Sequence, residues 1–266
     1  MTQPPSTSVA AAYDQYLVPG LFADWARRGV GLARLKSGDS VLDVACGTGI
    51  GARFALEIVG SSGRVVALDI DAGCIDYAQK ASQAAGDAIE WRCASAVELP
   101  FADGSFDACI CLHGLQFFPD PLKGLREMHR VLNAGGRLVV LTWGPLDRNK
   151  GHYAAVQALE KRNIDASAAK RASSLADPKR LHELAIEAGF TGAEVREETG
   201  RTSFPSIDVF LEGMAQGSPS TRHALALVPE ADRGAFLDEI RAALEPYCEN
   251  GMLRYPTAVN VLTATR

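Results

Sequence analysis

"SVLDVACGTGIGARF", residues 40–54, opens as an apolar run broken by one acid, Asp43, and runs on into glycines at alternate positions, Gly47, Gly49 and Gly51. A helical pattern follows, with Ile50, Phe54 and Ile58 four apart and Gly60 as its stop. Strand, glycine turn and helix in that order put the turn at the carboxyl end of a buried strand. In open α/β sheets ligands bind there. Glycine lets the backbone approach a ligand closely and take up left-handed conformations.

Outward from this stretch the same rhythm repeats. Apolar runs recur at 64–70, 88–94, 106–112 and 137–143, with helical patterns at 72–85 and 120–132 between them. The runs are apolar almost throughout, as strands covered on both faces are. Cys109 and Cys111, two apart, share one strand face. The pattern predicts an α/β fold: a doubly wound, Rossmann-like, mostly parallel sheet with right-handed crossovers. Later in the chain, strands are expected at 192–204 and 253–265, which makes seven. Helices are expected at 152–163, after the Asp177–Pro178 cap, and at 206–216 and 229–247. An N-terminal helix over 11–33 carries Tyr13, Tyr16, Leu17, Phe22 and Trp25, and Pro19 with Gly20 is expected to break it in two. The chain thus divides into a disordered tail (1–10), an N-terminal helical cover (11–35), a ligand-binding core (36–144), and remaining core strands with inserted cover helices (145–266).

Composition narrows the function. The 266 residues are 47% hydrophobic and 22% charged, with a formal net charge of -5, ordinary for a soluble globular protein. That charge disfavours a broad nucleic-acid surface. No apolar run reaches the roughly 20 residues that cross a bilayer, and the N-terminus lacks the pattern of a signal peptide. A cytoplasmic protein with reduced thiols is expected, since the six cysteines form no C-x-x-C pair. No metal-ligand spacing is present.

The two acids choose the nucleotide. Asp69 ends the second strand, where an acid binds ribose hydroxyls. Dinucleotide fingerprints space their glycines G-x-G-x-x-G, whereas these read G-x-G-x-G. They also serve a pyrophosphate, which disfavours a carboxylate at the loop mouth. Asp43 stands there. S-adenosylmethionine has a ribose, an ammonium and a sulfonium but no phosphate, so it accounts for both acids, whereas NAD accounts for one.

"VLDVACGTG", "VVALDID", "ELPFADGSFDACIC" and "REMHRVLNAGGRLVVLTW", taken in order, resemble the motifs of class I S-adenosylmethionine-dependent methyltransferases. The resemblance is to the branch that includes the ubiquinone and menaquinone biosynthesis methyltransferases; it covers residues 40–143. It implies that Asp43 and the loop residues Ala45, Gly47, Thr48 and Gly49 hold the methionine end of the cofactor. Asp69 would bind the ribose, and Ile70 would pack on the adenine. Where the family usually has an adenine-binding Asp, this chain has Ser95, which shifts weight to the backbone of Ala96. Leu112, His113 and Gln116 would line the methyl-transfer site. The last strands would form an antiparallel pair.

In such chemistry the protein supplies alignment and dryness, and sometimes a base. His113 is the leading base candidate and His152 a second; packing or cofactor contact is the competing role for His113. His129, His182 and His223 read as structural or surface residues. Tyr13, Tyr16 and Trp25 could close over the cofactor, their rings favouring a sulfonium, although packing of an amphipathic helix explains them equally. The expected function is methyl transfer to a small, partly apolar acceptor by direct displacement, on a quinone-like molecule or a secondary metabolite. Two alternatives stand beside it: an S-adenosylmethionine-binding protein with another catalytic or regulatory role, and an NAD(P)-dependent reductase. Neither the acceptor, nor the atom methylated, nor the oligomeric state is legible.

Overall fold

The structure is a computed structural model, and it describes residues 8–266. Most of the stretch assigned to a tail therefore lies outside the described residues. Ser8 caps a helix, Val9–Ala12, by accepting from the Ala11 N–H, so helix begins inside that stretch.

One sheet holds β1 (Ser40–Val44), β2 (Arg64–Asp69), β3 (Ile89–Cys93), β4 (Phe106–Leu112), β5 (Leu132–Trp143), β6 (Thr191–Phe204), β7 (Cys248–Glu249) and β8 (Met252–Thr265). Their spatial order is β3-β2-β1-β4-β5-β8-β6, with β7 paired only to β8. The pairs β1–β2, β1–β4, β2–β3 and β4–β5 are parallel, and β8 runs antiparallel to β5. The mostly parallel, doubly wound sheet is as expected. The strand count is corrected from seven to eight, because two residues, Cys248 and Glu249, turn back onto Leu253 and Met252. So short a pairing leaves no period in the sequence. The strand order reverses between β1 and β4, and the loops after both strands therefore flank one crevice.

The chain forms two compact units. One comprises Ala23–Pro145, Ala172–Gly200 and Ala258–Arg266 and contains the parallel strands. Alternate residues of these strands feed two cores. Val41, Val65, Ala67, Ala108, Ile110 and Val139 face the helices Ile50–Val59 and Ala72–Ala85 through Ala52, Ala55, Val59 and Ile75. Leu42, Val66, Leu68, Cys109, Cys111 and Val140 face Pro121–Val131 and Pro178–Glu187 through Leu125, Met128, Leu181 and Leu184. Cys109 and Cys111 do share a face. Each fully buried aliphatic side chain contributes roughly 1.5–3 kcal/mol. Trp25 is buried within this unit, its ring against Gly200 and the Arg28 guanidinium 5.1 Å from it.

The other unit comprises the chain up to Phe22, Leu146–Arg171 and Arg201–Thr257. It is helical, with Lys150–Glu160, Ile207–Gly217, Pro219–Leu227 and Arg233–Leu244. Helix Pro219–Leu227 was not expected from the sequence. The unit's aromatic centre sets Phe204, Phe210 and Tyr255 edge to face, with ring centroids 5.2 and 6.1 Å apart. Pro19 does not break the N-terminal helix as expected. It sits inside a π-helical stretch, Tyr13–Phe22, that runs between Val9–Ala12 and Ala23–Leu32. A widened turn is one way for a helix to absorb a residue without an N–H.

Candidate active site

The glycine turn is built by backbone geometry and held by one acid. Ala45, Gly47 and Gly49 take left-handed conformations, with φ of 57°, 55° and 89°. Gly49 then begins the helix Ile50–Val59. The Gly47 N–H donates to Asp69 Oδ2 at 2.8 Å, and the Asp71 N–H donates to Oδ1 at 2.9 Å. Asp69 therefore clamps the turn to the end of β2, a role in addition to the ribose contact the resemblance implies. Burial raises its pKa, and the Asp71 and Gly47 amides oppose the rise. Thr48 is buried; its carbonyl accepts from Arg53 Nη1 at 2.8 Å. A Cβ on Gly49 would lie 2.2 Å from the Trp91 ring, so Trp91 of β3 packs directly under the turn.

Asp43, on β1 behind the turn, is 1% exposed. Neither of its oxygens has a side-chain partner among the described residues. Burial pushes its pKa up to about 8; a backbone hydrogen bond from Ala52 opposes the rise, the neighbouring Asp69 charge adds to it, and Arg53 opposes it. Gly51 makes room for it, since a Cβ there would come within 2.7 Å of Oδ2.

After β4 the chain turns at His113, which has φ 62° although it is not glycine. Its N–H donates to the Leu141 carbonyl at 2.9 Å. Its ring stacks on Trp143, the last residue of β5, with centroids 4.0 Å apart and planes 25° apart. Gln116 is 3% exposed; its Nε2 donates to the His113 carbonyl at 2.8 Å. Gln116 Oε1 has no partner among the described residues. The Cα of Gly114 faces Ala45 so closely that a Cβ there would meet the Ala45 methyl at 2.5 Å. The turns after β1 and β4 are thus fitted to each other. Leu112 lies beside Gly29 and Gly51.

Ile70, 75% exposed, is the most open large apolar side chain of the described residues. Ser95 Oγ accepts weakly from the Val97 N–H at 3.4 Å, and Ala96 is half-buried behind it. The first unit therefore holds every expected cofactor contact except Tyr13 and Tyr16. Tyr13, Tyr16 and His152 belong to the helical unit. Tyr16 lies against Gly213, and burial holds the half-buried His152 low, at about 4. His129 meets Phe190 edge to face at 5.0 Å, in keeping with the structural role expected of it, and His182 and His223 are exposed. Sequence reasoning missed Trp91, Trp143 and the space-making role of Gly51. Only Gly51 left a signal, as the third member of the alternating glycines.

The arrangement offers an acid on a tight turn, an exposed apolar side chain beside it, and a second, sealed acid that lacks a side-chain partner. A buried polar group so short of partners calls for an explanation, and a ligand or bridging water supplies one. A cationic, ribose-bearing ligand fits both acids, and at Gly49 the turn has no room for a side chain.

Comparison with known proteins points the same way. Residues 42–140 match the family model described as a methyltransferase domain. The chain is 41% identical over 139 residues to the ubiquinone/menaquinone biosynthesis C-methyltransferase UbiE of Hahella chejuensis, covering 50% of this chain and 56% of that protein. It is 36% identical over 138 residues to the 2-phytyl-1,4-naphtoquinone methyltransferase of Synechococcus elongatus, covering 50% and 59%. The chain thus spans little more than half the length of these curated relatives. Among solved structures, it resembles phospholethanolamine N-methyltransferase 2 of Haemonchus contortus, in complex with S-adenosylhomocysteine, with TM-score 0.55, 19% identity and 99% and 61% coverage. It resembles the [4+2]-cyclase SpnF with TM-score 0.55, 20% identity and 100% and 99% coverage. At such identities the likeness is one of fold, and a fold shared with a cyclase leaves the chemistry to the site.

Proposed function

We propose that the chain is a class I S-adenosylmethionine-dependent methyltransferase, a reading supported by the match of residues 42–140 to a methyltransferase domain, and that it transfers a methyl group to a small, partly apolar acceptor of quinone-like character, in the cytoplasm. The observation that carries this reading is the pair of acids: Asp69 on the glycine turn and Asp43 sealed behind it without a side-chain partner. The relatives named for quinone-ring methylation support the acceptor class.

When bound, the cofactor supplies a methyl group on a positively charged sulfur. The rest is done by this chain's residues. Asp69 has lone pairs left for ribose hydroxyls after accepting from Gly47 and Asp71, and Ile70 offers an apolar face to the adenine. Asp43 supplies negative charge for the ammonium, directly or through a water. Ala45, Thr48 and Gly49 bring backbone up to the methionine end, and Ser95 and Ala96 flank the base. Leu112, His113 and Gln116 stand at the reacting centre, where buried walls exclude water and hold the acceptor in line. The imidazole of His113, stacked on Trp143, is our candidate to take the acceptor's proton, with packing against the cofactor as its competing role.

Acceptor choice falls to the segments outside the cofactor core, the N-terminal helix over 11–35 and the helices inserted within 145–266. Tyr16 and His152 belong to that set.

The test is an acceptor panel with isotopically labelled S-adenosylmethionine, read as S-adenosylhomocysteine and labelled product. Calorimetry with S-adenosylhomocysteine and with NADH runs beside it. Methyl transfer predicts acceptor-dependent S-adenosylhomocysteine. Tight binding with no labelled product from any acceptor would favour a non-transferring role, and preferential binding of NADH would favour a reductase.

A further inference from the structure

We propose that Asp43 carries a proton in the ligand-free protein and releases it when the cofactor's ammonium arrives, so that the cofactor enters by exchange of a proton for a cation. This rests on the methyltransferase reading above. The starting point is geometric. The side chain is 1% exposed, and the Ala52 backbone N–H faces its carboxyl. A Cβ on Gly51 would come within 2.7 Å of Oδ2, so the carboxyl is tightly enclosed. For a carboxyl so buried, beside a second acid, the usual outcome is that the group neutralises.

The groups facing Asp43 do not change this. Asp69, at the end of β2, carries the same charge and raises the pKa of Asp43 further. The backbone hydrogen bond from the Ala52 N–H and the charge of Arg53, in the first helix after the turn, oppose the rise, and the pKa still stands at about 8. The Cys46 thiol of the turn and the Cys109 and Cys111 thiols of β4 are pushed up by burial, and the Asp43 charge raises all three further. They are neutral and compensate nothing. The missing partner is a cation.

The exchange balances simply. The carboxyl O–H bond breaks, the proton passes to bulk solvent, and the carboxylate left behind pairs with the arriving ammonium. A neutral acid and a cation become an ion pair and a free proton. An opposite charge within about 4–6 Å lowers a carboxyl pKa by roughly 1–3 units, here from about 8 to roughly 5–7, so that half or more of the proton is lost at neutral pH.

The experiment is calorimetric titration of S-adenosylhomocysteine, which keeps the ammonium, into the protein in buffers of one pH but different ionisation enthalpies. At pH 7 the expected release is roughly 0.4–0.9 proton per ligand. Affinity should rise by up to about tenfold per pH unit between pH 6 and 8 and level off above. Asp43→Asn mimics the protonated acid in shape. It should bind with no linked proton release from this site and an almost flat pH profile, with the ligand's own amine as the common background. Binding by the wild-type protein without proton release, or equal release by the Asn variant, overturns the exchange while leaving methyl transfer standing. Should the Asn variant not fold, the wild-type buffer series decides alone. A wild-type protein that does not bind S-adenosylhomocysteine overturns both readings.

Discussion

Single residues carry opposed demands in this site, and substitutions separate them. Asp69 accepts from two backbone amides and is placed to accept from a ribose. Asp69→Ala should weaken S-adenosylhomocysteine binding more than tenfold in calorimetry, since charge-assisted hydrogen bonds are worth roughly 1.5–3 kcal/mol. An unchanged dissociation constant would remove Asp69 from the site. His113 combines a left-handed backbone with a stacked ring. If it moves a proton, His113→Ala should lower kcat by roughly 10²–10⁴ while cofactor affinity holds. A loss below tenfold leaves it as a wall of the site. Asp43 also sets a pH dependence of stability. Its folded pKa stands at about 8 against 3.8 for the free side chain. Its contribution is therefore complete below the unfolded value and is lost as pH rises toward 8, because the native state holds the proton longer. Denaturant melts should show Asp43→Asn gaining on the wild-type protein as pH rises from 4 to 8, by on the order of a few kcal/mol at the upper end. Asp43 and Asp69 were legible because an acid inside an apolar strand, or at its end, is conspicuous. The lack of a side-chain partner at Asp43 and the stack of His113 on Trp143 were not, because each depends on what neighbouring strands bring alongside.

At the scale of elements, the strands β1 to β4 and the helices between them were readable nearly to the residue, since continuous apolar runs and capped helices state their own boundaries. β5 begins earlier than expected, at Leu132, because its register against β4 shifts between the Leu132 and Arg137 pairings and so accommodates the "NAGG" turn. The π-helical winding around Pro19 and the helix Pro219–Leu227 were not readable. The first replaces a break that local rules favour, and the second starts at a proline that could equally end a helix. The glycine turn makes the sharpest demand of any element. Gly49 has φ 89° and the Trp91 ring directly against it. Gly49→Ala should lose at least 1–3 kcal/mol of stability from backbone strain alone, and cofactor binding with it. Gly49→Ala paired with Trp91→Leu should recover the packing share and leave the strained share. A thermal melt of both variants measures the division, and equal melting temperatures for Gly49→Ala and the wild-type protein would mean the turn is not held as described.

For the whole molecule, the division into two units gives ligand binding a regional signature. Saturating S-adenosylhomocysteine at about 100 times its dissociation constant should add roughly 2.7 kcal/mol to the unit that binds it. Hydrogen exchange should show the slowing at residues 45–51, 69–71, 95–96 and 112–116. Slowing that starts in the helical unit on cofactor alone would shift cofactor contacts to Tyr16 and its neighbours. The two-unit layout itself was legible only as a change of rhythm after Trp143, since no sequence signal states which distant segments join.

The antiparallel pairing of β5 with β8 has a consequence for how this chain is made. Residues 137–143 take their second neighbour from residues 259–265, and the Arg266 N–H donates to the Gly136 carbonyl at 2.9 Å. While the ribosome is still adding β6 and the helices that follow, β5 therefore waits with an apolar edge open, exposed to chaperones or to wrong partners. The parallel strands β1 to β5 are all made early, yet β5 gains its second neighbour only when residues 259–265 emerge. Removing Ala258–Arg266 should leave β5 as an open edge strand, with a lower melting temperature and a greater tendency to aggregate.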